Sequence, residues 1–289
     1  MPNEDTSNNG VPRATGLLII EVRNSNPNGD PDRESDPRQR PDDKGEISPV
    51  SFKRKLRDLV EQKDGPVWKS LAKDLSLTDA EYDILESRKT KLKDIRAVNE
   101  EAFIKRFWDG RVFGNTELEK GRNITVKTGA VQFGLGISVA PIRIERMTTT
   151  NPPVQGDKQG GMAPLAYRVV EHGVYCMPFF INPTAACKTK CSETDIKLLL
   201  KLIPFGYSPH TGSYIRTMVE IRHAWYIQHT SALGSCSDFA LIDALTPRRK
   251  KEFDSTKPSQ SWGEYDVPTS LSDDVVKKVN PLRDLMTGE

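Results

Sequence analysis

Long apolar runs are missing from this 289-residue chain: none approaches the roughly 18 residues a transmembrane helix needs, so no membrane association is expected. Cysteine is scarce. Four in the whole chain do not make a disulfide framework, and a reducing, cytoplasmic home is the expectation. Cys187-x-x-x-Cys191 has no second pair near it, Cys176 and Cys236 stand alone, and the four histidines show no paired spacing. Structural zinc usually needs four close ligands, so ordinary thiols are expected, and no metal. A G-x-S-x-G turn, a Cys-His signature and a Walker-type loop are all absent, and Gly134-x-Gly136 is too short for a dinucleotide fingerprint. No cofactor and no enzymatic activity are therefore expected. Residues Met1 to Ala14 are polar, contain acids and have no apolar segment. Residues 1–15 are expected to be disordered, not a secretory signal.

An excess of one charge is also lacking. The net charge is only +2, so the total says nothing about nucleic acid. The distribution says more. Lys53, Arg54, Lys55 and Arg57 face only Asp58 within residues 51–60. Arg88, Lys89, Lys91, Lys93 and Arg96 face only Asp94, and Arg248, Arg249, Lys250 and Lys251 are consecutive. Acids gather between Asp74 and Glu86 and again between Glu252 and Asp274. Segregated charge can form a basic stripe for phosphates, or simply a solvated face.

The chain is 36% hydrophobic and 28% charged, which fits a globular domain with an adequate core. Leu18, Ile20 and Val22 alternate on a first strand that runs into Asn24-Ser25-Asn26-Pro27-Asn28-Gly29-Asp30-Pro31, a turn-forming sequence. Residues 30–46 read as a polar loop. Ser48 then suits an N-cap and Pro49 the first helical position. Phe52, Leu56, Leu59 and Val60 make an apolar stripe, with Lys53, Arg54 and Arg57 beside it. Helical stretches are expected over Leu71–Leu85 and Asn99–Trp108. Val131 to Val139 reads as one strand with Val131, Phe133, Leu135, Ile137 and Val139 on one face. Glycines 134 and 136 on its other face point to a close backbone approach or to a bend. Residues 147–168 are a long Gly- and Pro-containing excursion. A third strand is expected over His172–Asn182 and a helix over Ser192–Ile203 with a capping box to Asp195. A fourth strand, Thr217–His229, has Val219, Ile221, His223, Trp225 and Ile227 on one face.

With insertions removed, the order is strand, helix, strand, strand, helix, strand. That is the split βαβ, ferredoxin-like α+β unit, the layout of RNA-recognition (RRM-like) domains. One domain is expected over residues 16–245, with insertions at 66–128 and 147–170 and a charged extension at 246–289. Two chemistries compete with RNA binding at the first loop. Calcium fails on ligand pattern, because Asn24 stands at the first position, Ser35 at the twelfth, and Pro27 lies inside. A loop acid such as Asp30 or Asp36 could promote attack by an RNA 2′-hydroxyl, making an endoribonuclease the alternative, but no second catalytic group accompanies it. Asparagine side chains and Lys/Arg can instead hold phosphates and 2′-hydroxyls without reading base sequence.

The residues also resemble a known family. Arg23-Asn24-Ser25-Asn26-Pro27-Asn28-Gly29-Asp30-Pro31-Asp32 resembles the N-x-N-P-N-G-D-P motif of the Cas-seven family, the backbone subunit of the CRISPR Cascade, closest to its subtype B and C branches. Ser51-Phe52-Lys53-Arg54-Lys55-Leu56-Arg57 is similar to that branch's basic helix, and Gly129-Ala130-Val131-Gln132-Phe133 to its G-[PA]-V-Q strand. The chain departs from the family pattern after Phe205, at Gly206-Tyr207-Ser208-Pro209-His210-Thr211-Gly212. The resemblance implies a palm, helical fingers and a hairpin thumb, with copies stacked head to tail along a guide RNA (crRNA). The guide pairs with target DNA, and other Cascade subunits complete the complex. It implies guide contacts at Asn24, Ser25, Asn26, Asn28, Lys53, Arg54, Arg57, Gln132, Gly134, Met147, Thr148 and Thr149, with Met147 as a wedge between bases.

Overall fold

In this computed structural model, residues 10–87, 99–115, 127–151, 163–207 and 217–287 are described. The basic run at 88–96, the Gly-rich segment around Gly156 to Gly161, and His210 and Arg216 lie outside them. The strands of the main sheet are β1 (Ala14–Ser25), β2 (Lys44–Ile47), β3 (Val131–Phe133), β4 (Gly136–Pro141), β5 (Ile144–Asn151), β6 (Ala163–Ile181), β7 (Val219–Gln228) and β8 (Arg283–Asp284). They form one antiparallel sheet in the order β8-β7-β1-β6-β4-β2, with β3 and β5 also paired to β6. The α-helices are α1 (Pro49–Glu61), α2 (Pro66–Asp74), α3 (Glu100–Arg106), α4 (Trp108–Phe113), α5 (Pro183–Thr189), α6 (Glu193–Leu202) and α7 (Asp238–Leu245), with a further single turn at Asp273–Val276. The fold is α+β. No helix among the described residues is long and apolar enough to cross a membrane.

β1 explains the layering. Its run of apolar residues is buried on both faces, as expected of a central strand covered on each side. Leu18, Ile20 and Val22 join a core with Phe52 and Leu56 of α1 and Ile196 and Leu199 of α6. Leu17 and Ile19 point the other way, into a second core with Leu241 and Leu245 of α7 and Tyr265, Leu271 and Val279. Residues 246–287 pack onto the sheet. Their sparse apolar residues cover the sheet's second face, and β8 pairs with Trp225 and Tyr226 at its edge.

Both helix starts follow the sequence. Ser48 Oγ accepts from Ser51 N at 3.2 Å, and Ser192 and Asp195 form the expected capping box. Phe107 interrupts the expected 99–108 helix. It is extended and bridges Asp83, whose carbonyl accepts from Trp108 N at 3.1 Å, so α3 and α4 are separate. The stretch 71–85 is helical only to Asp74, with a short turn at Asp79–Glu81. Trp68, Tyr82, Trp108 and Phe113, all within 66–128, belong to the first core.

Two strands change phase where strict alternation is expected. The 131–139 strand breaks at Gly134-Leu135, after which Gly136, Ser138 and Ala140 face inward while Leu135 is exposed. Of the two readings of the glycines, the bend holds; what crowds them is neighbouring side chains, not another backbone. A Cβ on Gly134 would lie 2.8 Å from Pro178 Cγ, and one on Gly136 3.0 Å from Met177 Cε. In β7 the register against β1 shifts between His223 and Ile221, leaving Arg222 as an extra residue. That bulge puts Val219 and Ile221 in the first core and Trp225 and Ile227 in the second.

Candidate nucleic-acid interface

The loop that follows β1 is built by its own asparagines. Asn24 has φ 40°, in the left-handed region that Asn tolerates better than most residues, and its side chain is exposed. Ser25 is buried and its Oγ accepts from Met218 N at 3.1 Å, tying the loop to the start of β7. Asn26 is buried and donates to Ser35 O at 2.8 Å. Asn28 is buried, and its Oδ1 accepts from Ser48 N at 2.7 Å, which fastens the loop to the N-cap of α1. Asn26 and Asn28 therefore shape the loop from inside, and Asn24 is the asparagine that faces outward.

The basic residues of α1 divide similarly. Arg54 ion-pairs with Asp58 and, at 2.7 Å, with Glu61, and it donates to Glu86 O. Arg57 is buried, 2.9 Å from Asp109 and 3.1 Å from Glu86, and lies over the Phe113 ring at 5.0 Å. Lys53 is half-buried, with Nζ 5.3 Å from the Phe113 ring centroid. Burial, together with the adjacent Arg57 charge, lowers its ammonium pKa below the usual lysine value. The Arg248–Lys251 run is likewise occupied in part. Arg249 pairs with Glu264 at 2.9 Å, and Lys250 donates to Gly263 O at 2.7 Å.

Loop acids and hairpin meet. Asp30 caps the short Pro31–Arg33 turn. Asp36 lies 2.7 Å from Arg168 and 3.3 Å from Arg146, and Glu34 lies 2.6 Å from Arg168. The Arg168 hydrogen bond and charge lower the Glu34 pKa below the usual carboxylate value. β5 and β6 form a hairpin ladder that pairs Met147 with Tyr167, Thr148 with Ala166 and Thr149 with Leu165. Met147 is half-buried and Thr148 exposed.

Gln132 is exposed and donates to Gly129 O at 3.2 Å, and Gly134 N donates to Pro178 O at 2.8 Å. Ser25 pairs with Val170 and Gln132 with Phe180, so the two sites are separated along β6 by roughly 30 Å at the usual strand rise. The loop, the start of α1 and the hairpin are thus brought together, while Gln132 and Gly134 lie towards the other end of β6. Sequence reasoning missed Arg146 and Arg168. No local pattern marks them, because only the ladder register makes them neighbours.

A second polar cluster also went unseen. Glu21, buried in β1, lies 2.6 Å from Arg23, 3.3 Å from Arg222 and 3.3 Å from His172, whose Nδ1 is 2.8 Å from Ser259 Oγ. Burial alone would raise the Glu21 carboxyl pKa. Hydrogen bonds from His172 and Arg23, with the charges of Arg23 and Arg222, outweigh it and hold the pKa down to about 2.

A search of curated proteins finds no match. Among solved structures, a chain of a "CRISPR RNA-guided surveillance complex, pre-nicking" aligns at 15% identity and a TM-score of 0.49, covering 76% of this chain and 79% of that one. A chain of a "CRISPR RNA-guided surveillance complex" aligns at 17% identity and a TM-score of 0.42, over 80% of this chain and 75% of that one. A third, from the Type III-B Cmr-beta bound to cognate target RNA, aligns at 11% identity and 0.43, over 76% and 62%. Residues 12–270 match the family described as CRISPR-associated protein Cas7, and the chain belongs to that family.

Proposed function

We propose that this protein is a non-catalytic guide-RNA (crRNA) binding subunit, repeated head to tail as the backbone of a CRISPR Cascade surveillance complex. It presents the guide for pairing with target DNA, in contact with other Cascade subunits and in the cytoplasm. Membership of the Cas7 family over residues 12–270 carries this reading. The four strands β7, β1, β6 and β4 with crossovers through α1 and α6 support a ferredoxin-like, RRM-like palm. Residues 66–128 are the fingers and the hairpin at 147–170 the thumb, and the motif resemblance favours the subtype B and C branches.

RNA-recognition domains hold single strands on an open sheet face. Here one face carries α1 and α6 and the other α7 and the C-terminal segment, so contacts move to the loops and the hairpin. Asn24, Lys53, Gln132, Gly134, Met147, Thr148 and Thr149 are the proposed direct contacts. Ser25, Asn26 and Asn28 hold the loop's shape. Arg54 and Arg57 lend positive potential from within ion pairs. A head-to-tail contact is heterologous and open, which makes filaments.

Lys53→Glu tests the grip. It is expected to weaken guide binding equally for unrelated guide sequences and to flatten the salt slope by about one unit. Unchanged affinity and slope would sink the assignment. The endoribonuclease alternative at Asp30 or Asp36 has its own readout: guide-loaded protein with magnesium should leave complementary RNA intact. Cleavage abolished by Asp36→Ala would overturn the non-catalytic reading.

A further inference from the structure

Arg146 and Arg168 are direct register partners in the β5–β6 ladder. Like charges opposite each other on a ladder repel and destabilise the pairing. A carboxylate from a distant part of the chain stands between them: Asp36 reaches both guanidiniums, at 3.3 Å and 2.7 Å. The Arg168 and Asp36 side chains are 17% and 14% exposed, so solvent screens their pair less than it would a surface pair, while Arg146, 71% exposed, holds the solvent side of the cluster. Glu34 adds an outer arm to Arg168.

Asp36 cannot drift to meet the arginines, because its loop is closed on itself. Gly29–Asp30 pairs with Asp36–Pro37, and Ser35 N donates to Asp30 O at 2.8 Å. Asn26 donates to the Ser35 carbonyl, and Glu34 and Ser35 are both left-handed, at φ 50° and 66°. Arg38 pairs with Glu46 at 3.3 Å on the loop's return, and Asn28 binds the start of α1. One rigid loop therefore carries the outward Asn24 at one end and the counter-charge for the hairpin at the other.

We propose that Asp36 is a positioning residue. It neutralises the opposed Arg146–Arg168 pair and fixes the hairpin's angle to the 24–38 loop, and so the spacing at which successive copies meet the guide. This rests on the guide-binding reading above.

Hydrogen exchange on the RNA-free protein and nuclease protection of bound guide test it together. Asp36→Asn should speed amide exchange in β5 and the facing part of β6 by about tenfold, leave α1 and α6 unchanged, and blur the regular protection pattern. Adding Arg146→Gln removes the repulsion and should restore slow exchange in the hairpin, while the protection pattern stays blurred because the tie to the loop is still missing. Unchanged hairpin exchange, a regular pattern in Asp36→Asn, or no rescue of exchange by Arg146→Gln would each overturn the proposal. Wild-type protein that leaves guide unprotected refutes the guide-binding reading instead, and the exchange comparison still decides whether Asp36 holds the hairpin.

Discussion

At the scale of single residues, the asparagines teach the main lesson. Their types are visible in the sequence, and so is their tendency to bond nearby backbone. Their directions are not. Asn28 reaches Ser48 across twenty positions, a partner that exists only once the loop has closed. Glu21 is similar: a lone acid in an apolar strand gives no hint of the Arg23, Arg222 and His172 groups that surround it. Its pKa carries a pH prediction. The folded value, about 2, lies below the ordinary 4.5, so its contribution to stability is fully present above about pH 4.5. It is lost as pH falls from there towards 2. Wild-type urea midpoints should drop more steeply across this window than those of Glu21→Gln, and parallel curves would discount the cluster's role.

At the scale of elements, the starts of α1 and α6 were legible, and strand phases and the ends of the helices between them were not. Capping at Ser48 and Ser192 is local chemistry, written in four consecutive residues each. The bulge at Arg222 and the bend at Gly134-Leu135 arise from pairing with β1 and β6, which no window along the chain contains. The same limit hid how α1 joins α4. Arg57 and Asp109 are both buried, and Asp109 also accepts from Leu85 N at 2.7 Å, so one carboxylate ties α1, α4 and the 82–86 turn. Arg57→Ala leaves that charge buried with its guanidinium gone. The expected cost is about 3–5 kcal/mol in urea unfolding, far above the ~1 kcal/mol of an exposed pair.

At the scale of the whole molecule, the order β1, α1, β3–β4, β6, α6, β7 was readable because hydrophobic period and capping mark those elements, whereas β2 fell in the stretch read as a loop and β5 in the excursion. The role of residues 246–289 was not, since Leu271, Val279 and their neighbours are too widely spaced to show a period. Deleting 246–289 uncovers Leu17, Ile19, Trp225 and Ile227. The shortened chain should bind a hydrophobic dye and aggregate at concentrations where the full chain stays dispersed. A soluble, dye-silent truncation would mean that the second core is dispensable.

The sheet's two margins have a further consequence. β8 occupies part of the outer side of β7, and β2 pairs with β4 through a register shift at Lys44–Glu46. A capped margin and a kinked one are both poor templates for a stranger's strand. Free copies of the chain are therefore not expected to join edge to edge into a continuous sheet, even when concentrated.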